Sequence, residues 1–237
     1  MGTTVTISGA SPVAAEADAV VIGVMPGPDG LVLAPGAEDV DKALDGSLAA
    51  TLATLGASGD PGEVTKIATG GRLAAPLLAA AGLGDPADGS PAASGPLDPE
   101  SLRRAAGAAV RALAGGPGNG RREAGRPERI ALALPARDEA EAAAVTMGAL
   151  LGGYTFGRYR DDSRPAPELT LLADEGRAAG PSRRAQVIAD AVTLARDLVN
   201  TGPSDLVPAA LAAEAERVAA ASGLAAEVLD EHALAAG

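Results

Sequence analysis

Ala19-Val20-Val21-Ile22-Gly23-Val24 contains no polar side chain and reads as a strand apolar enough to be buried on both faces. Such a strand belongs inside a sheet covered by helices on either side, which is the layering of an α/β domain. The run Met25-Pro26-Gly27-Pro28-Asp29-Gly30 behind it forces a turn. Outward from this centre, Thr4–Ile7, Leu31–Leu33, Glu63–Ala68, Ile130–Leu134 and Pro167–Ala173 also have β-type composition. Pro76–Leu83 is ambiguous because its alanines permit a helix, but its length and its Pro/Gly flanks favour a strand.

Helical patterns alternate with these runs. Val40, Leu44, Leu48, Leu52 and Leu55 give Asp39–Leu55 helical spacing, closed by Gly56 and Gly59. Asp98-Pro99 has the form of an N-cap and first turn, followed by an apolar face of Leu102, Ala105, Ala106, Ala109, Val110 and Leu113 up to Gly115. A helix from Asp138 to about Phe156 carries Val145, Met147, Leu150, Leu151 and Tyr154 on its apolar side. The alternation predicts a mixed sheet flanked by helices. Gly84–Pro96 and Gly115–Gly120 are expected to be loops; the second follows a helix and meets Arg121-Arg122, so it is not a phosphate loop.

Asp174–Pro181 is polar and contains glycine, and a domain boundary is expected near it. Ser182–Asn200 then forms an amphipathic helix whose apolar face is Val187, Ile188, Ala191, Val192, Ala195, Leu198 and Val199. Asn200–Pro208 stops it, and a helix over Pro208–Ser222 and a strand over Ala225–Leu229 are expected to follow.

Composition excludes several kinds of chemistry. Of the 237 residues 47% are hydrophobic and 1% aromatic, with 31 Gly, 18 Pro, no Cys and one His. Without cysteine there is no disulfide framework, thiolate zinc site or cysteine nucleophile, and the lone His232 argues against a Ser-His-Asp triad. A net charge of -12 suits a polyanion poorly, so nucleic acid is not an expected partner. No uninterrupted apolar run reaches the roughly 18–20 residues of a membrane span, and Met1–Ile7 lacks the cationic start and apolar stretch of a signal peptide. A cytoplasmic protein with no membrane partner is the expectation.

The candidate chemistry is sparse. Tyr154, Phe156 and Tyr159 crowd into one window of an aromatic-poor chain, either as a packing anchor or interface or as a stacking platform for a nucleotide or sugar. The absence of a basic groove and of a second aromatic patch favours packing. Asp161-Asp162 and Glu214 with Glu216 are the available metal-ligand material and read as solvated surface. Thr69-Gly70-Gly71-Arg72 reads as a turn rather than a phosphate cradle, and His232 as a surface residue. No catalytic, metal or cofactor-binding residue is assigned.

Two longer stretches carry a family resemblance. Ala195-Arg196-Asp197-Leu198-Val199-Asn200-Thr201-Gly202-Pro203-Ser204-Asp205-Leu206-Val207-Pro208 resembles the helix and Asn-Thr-x-Pro-x-x-x-x-Pro segment that opens the catalytic domain of leucyl aminopeptidases of the cytosol aminopeptidase family (peptidase family M17). Gly152-Gly153-Tyr154-Thr155-Phe156-Gly157-Arg158-Tyr159 is similar to the signature near the end of that family's N-terminal domain, with Arg160 where the family has lysine. The resemblance is weak before residue 95 and firm after about residue 145.

It implies a macro-like N-terminal α/β domain over 1–175, a linker helix over 176–200 and the truncated start of the α/β catalytic domain over 201–237. The family's two divalent ions, manganese or zinc, are held by a lysine, three aspartates and a glutamate in Lys-Gly-x-x-x-Asp-Ser-Gly-Gly and Asn-Thr-Asp-Ala-Glu-Gly-Arg type motifs. Neither motif occurs here; Asn200-Thr201 starts like the second and departs from it at Gly202-Pro203. The resemblance therefore implies the N-terminal portion of an aminopeptidase, inactive alone, whose intact form is a hexamer acting on peptides. The alternative is a free-standing macro-like module for ligand binding or assembly.

Overall fold

The computed structural model describes residues 3–85, 97–115, 126–159 and 166–236. Its elements in chain order are β1 (Val5–Ser8), β2 (Ala19–Gly27), β3 (Gly30–Leu33), α1 (Glu38–Ala43), α2 (Leu48–Thr54), β4 (Val64–Ala68) and β5 (Leu77–Gly82). There follow α3 (Pro99–Ala114), β6 (Arg129–Ala133), α4 (Glu139–Gly152), β7 (Glu168–Leu172), α5 (Glu175–Asn200), α6 (Pro208–Ser222) and α7 (Glu231–Ala236).

The apolar run Ala19–Val24 sits inside the sheet between β6 and β5, both parallel to it. The strand order is β1-β7-β6-β2-β5-β4, with β4 antiparallel to β5 and β3 antiparallel to the far end of β2, so the sheet is mixed as expected. Because successive side chains of a strand point to opposite faces, β2 feeds two cores. Val21 and Met25 pack with Leu132 of β6, Leu102 of α3 and Val145 of α4, while Val20 and Ile22 pack with Val40, Leu48 and Leu52 beneath α1 and α2. The ambiguous alanine run is strand β5, its alanines buried on both faces.

Several expectations need correction. Asp39–Leu55 is two short helices, because Asp45 and Gly46 adopt positive φ (60° and 69°) and turn the chain between them. The Asp41 side chain bridges the break by accepting from the Leu48 amide at 3.1 Å. The turn after β2 is confined to Pro28-Asp29, since Gly27 and Gly30 already pair across the β2–β3 hairpin. The helix expected to reach Phe156 ends at Gly152, and Tyr154 lies beyond it. No strand forms over Ala225–Leu229; Val228 and Leu229 are exposed, with no neighbouring strand among the described residues to complete a ladder. Positions 86–96 and 116–120 of the expected loops lie outside the described residues.

The polar stretch near the expected boundary is itself helical. Asp174 caps α5 by accepting from the Arg177 amide at 3.0 Å, and the helix runs through Pro181 rather than starting at Ser182. Ala178, Ser182, Ala185 and Ala189 form its buried face against α4. There the Ser182 and Thr146 hydroxyls share a buried hydrogen bond of 2.9 Å.

α3 and α4 lie closer still. A Cβ built on Gly148 would fall 2.1 Å from the Arg103 carbonyl oxygen, and one on Gly152 would fall 2.4 Å from that of Gly107. The start of α4 is fixed by Glu141, a buried carboxylate that takes the Arg137 guanidinium and the Arg137 amide, the latter at 2.7 Å. Arg177 of α5 ties into the same corner by donating to the Arg137 carbonyl at 2.7 Å.

Candidate functional site

The two motif-bearing stretches meet at the C-terminal end of α5. Gly152-Gly153 ends α4, and the aromatic window after it runs against α5 and the loop that follows. Tyr154 donates its hydroxyl to Asp197 Oδ1 at 2.8 Å and accepts from Asn200 Nδ2 at 3.1 Å. The Arg196 guanidinium lies 5.3 Å from the Tyr154 ring centroid and donates to the Leu151 carbonyl at 3.3 Å. Burial raises the Tyr154 hydroxyl above its ordinary pKa; the Asn200 hydrogen bond opposes this and the Asp197 carboxylate adds to it, so the phenol stays protonated as Asp197's donor.

Tyr159 holds the next segment. Its hydroxyl donates to Asp205 Oδ2 at 2.6 Å and accepts from the Gly202 amide at 2.8 Å, and its ring meets Phe156 edge to face at 5.7 Å. Thr201 ends α5 with its side chain and amide both on the Asp197 carbonyl, at 2.7 and 3.0 Å. The aromatic window is therefore a clasp whose tyrosines fix the helix end and the following loop. This is the packing role expected of it, and both hydroxyls and the Tyr154 ring face are occupied by protein groups.

Between the clasp, α5 and α6 opens a cleft of about 1240 Å³ lined by side chains that include Phe156, Leu194, Leu198, Leu206 and Arg217. It holds no convergence of metal-ligating groups: Glu214 is engaged by Arg217 at 2.8 Å, and Glu216 is exposed. Asp161-Asp162 lies outside the described residues. Among the described residues no three His, Asp or Glu side chains come together as a metal site.

The remaining candidates are structural. Thr69-Gly70-Gly71-Arg72 is a turn closed by the Arg72 amide on the Thr69 carbonyl at 3.1 Å, with Thr69 Oγ1 buried on the Ala75 carbonyl and Arg72 paired with Asp45. His232 is exposed on α7. Asp197, Asn200 and Asp205 stand 43–46 residues from the tyrosines they hold, a separation at which one sequence carries no pairing signal.

Tyr159→Phe keeps the ring and removes the hydroxyl from Asp205 and the Gly202 amide. We expect it to cost about 1 kcal/mol, felt locally, with amides over 202–211 exchanging faster and those of α4 unchanged. Equal exchange of the 202–211 amides in wild type and variant would show that the hydroxyl does not anchor the loop.

Comparison with known proteins gives one family. Residues 21–163 match the N-terminal domain of the cytosol aminopeptidase family. The chain is 43% identical to a "Probable cytosol aminopeptidase" of Streptomyces avermitilis, an alignment covering 99% of this chain and 46% of that protein. It is also 43% identical to the protein of the same description from Streptomyces coelicolor, covering 99% and 47%. The chain thus spans about half the length of the curated relatives it matches. Among solved structures it is similar to the bottromycin maturation enzyme BotP at 25% identity and a TM-score of 0.66, covering 93% of this chain and 41% of that one. A tomato leucine aminopeptidase variant shares the fold at 22% identity and a TM-score of 0.70, covering 93% and 43%.

Proposed function

Since the chain belongs to the cytosol aminopeptidase family, whose N-terminal domain it matches, we propose that these residues supply the non-catalytic N-terminal portion of a metal-dependent aminopeptidase that removes N-terminal residues from peptides in the cytoplasm. The observation that carries this reading is the match over 21–163 in a chain that spans 46% of the first relative. The clasp supports it, because Tyr154 and Tyr159 at the end of the matched region bond to residues that resemble the opening of the family's catalytic domain.

On this reading α5 and the Asn200–Pro208 loop are the passage between the two parts, held at a fixed angle so that whatever follows α6 is positioned against the first domain. The family's two divalent ions, manganese or zinc, supply activation of a water for attack on the peptide bond. Their ligand motifs are absent from these 237 residues, so this chain's own contribution is positional. Assembly of the intact enzyme as a homo-hexamer belongs to the same proposal.

The chain alone is therefore expected to leave a leucine amide substrate intact and to show no stoichiometric tight binding of zinc or manganese by calorimetry. Metal-dependent turnover, or one tightly bound ion per chain, would overturn the proposal.

A further inference from the structure

α3 and α4 cross where neither carries a side chain, Gly107 of one against Gly148 and Gly152 of the other. Above the crossing lies a groove of about 330 Å³ with a glycine-backbone floor. Its rim is cationic: Arg103, Arg104 and Arg111 line it from α3, and Arg196 reaches it from α5. Arg104 and Arg111, seven residues apart, fall on one face of α3, and Arg103 stands beside Arg104 at the edge of that face.

The negative charge facing them is small. Glu100 is shared, with Arg103 Nε and Arg104 Nε each 2.7 Å from its carboxylate, and these two guanidiniums hold its pKa down at about 2. Arg111 has no hydrogen-bond or ion-pair partner among the described residues, and the partners of Arg196 are a carbonyl and a tyrosine ring, neither of them anionic. Excess positive charge is thus gathered in one recess of a chain whose net charge is -12. A recess of one sign focuses the local field, so small anions concentrate there despite the acidic surface around it. Guanidinium forks are weakly hydrated and match phosphate oxygens in pairs.

We propose that this groove binds a small, multiply charged phosphate ligand, its phosphates lying over the glycine floor between Arg111, Arg104 and Arg196. The volume admits a di- or triphosphate and is too small for a duplex. No aromatic ring lies among the lining side chains to stack on a base, so the phosphates alone carry recognition.

The test is titration calorimetry of the 237-residue chain with inorganic triphosphate at low ionic strength, repeated with a nucleoside triphosphate. One saturable site is expected, of similar affinity for both. Arg104→Ala combined with Arg111→Ala is expected to weaken it by about tenfold or more, and Glu100→Gln, which removes the competing carboxylate, to tighten it severalfold. A nucleoside triphosphate bound far more tightly than inorganic triphosphate would overturn recognition through phosphate alone. Absence of saturable binding, or affinity unchanged in both variants, would overturn the site itself. Because Glu100→Gln tests for gain, loss of folding in the double variant does not shelter the proposal.

Discussion

A single methyl group added at position 148 is expected to destabilise the first domain by about 2 kcal/mol or more. In Gly148→Ala the new Cβ would lie 2.1 Å from the Arg103 carbonyl oxygen and 2.8 Å from its carbonyl carbon. Both are backbone atoms of α3, so no side chain can swing aside; the helices themselves must separate. Leu102, Ala106, Val145 and Ala149, all buried along this pair of helices, would lose packing together. Ala for Gly inside a helix gains about 1 kcal/mol of propensity, whereas overpacking a close-packed core costs about 3 kcal/mol or more at its upper end. The clash decides the sign. Gly176→Ala is the control: its nearest neighbour is Asp174 Oδ1 at 3.5 Å, and it should hold or gain about 0.5 kcal/mol. Urea unfolding followed by circular dichroism compares the two. A Gly148→Ala midpoint equal to that of wild type would mean that α3 and α4 are not in backbone contact.

The same close approach explains what one sequence can and cannot disclose about this fold. Ala19–Val24 and Ile130–Leu134 are legible because every side chain in them is apolar, and burial on both faces leaves no other arrangement. The helix packing is not. Reading α5 by its largest apolar residues selects Val187, Ile188 and Val199, yet the helix packs on α4 through Ala178, Ser182, Ala185 and Ala189. Small side chains admit a neighbouring backbone, and hydropathy counts weigh them least.

A related limit applies to Asp45-Gly46. The apolar spacing from Val40 to Leu52 is kept across both helices, so periodicity alone does not register a turn that two positive φ angles introduce. At the clasp, clustering of Tyr154, Phe156 and Tyr159 exposes one half of the site from composition. The other half, Asp197, Asn200 and Asp205, is polar and inconspicuous in sequence and acquires its role only where the fold brings α4 and α5 together. The cationic groove is hidden in the same way: its arginines are scattered over α3 and α5, and no basic run announces them.

Self-association of the isolated chain is the second large effect expected, and it arises from the face of α5 that α4 does not use. Val187, Ile188 and Val199 are 69%, 43% and 84% exposed, and Val207, Leu211, Leu224, Val228, Leu229 and Leu234 are exposed further along. Single exposed apolar residues need no explanation. Here, though, the large exposed ones gather from position 187 onward, with Leu55 and Tyr159 the exceptions among the described residues. Covering any such side chain removes about 1.5–3 kcal/mol of unfavourable hydration, so a second copy offers the nearest apolar surface when nothing else does. Sedimentation equilibrium should give an average mass that rises with concentration above the 23.0 kDa of one chain. Val187→Asp with Val199→Asp should return it towards that value, and Val192→Asp, half-buried and seven residues before Val199 on the same flank as it, should act in the same direction. Val187 and Val199 are exposed and lie outside the Ala178–Ala189 seam, so in that pair the unfolding midpoint of the first domain should hold. In the intact enzyme of the proposed reading the same charges would fall where the second part rests on α5, and there they should lower stability. A chain that stays monomeric, with α5 amides strongly protected from exchange along the Val187–Val199 side, would show that residues within the chain cover this face.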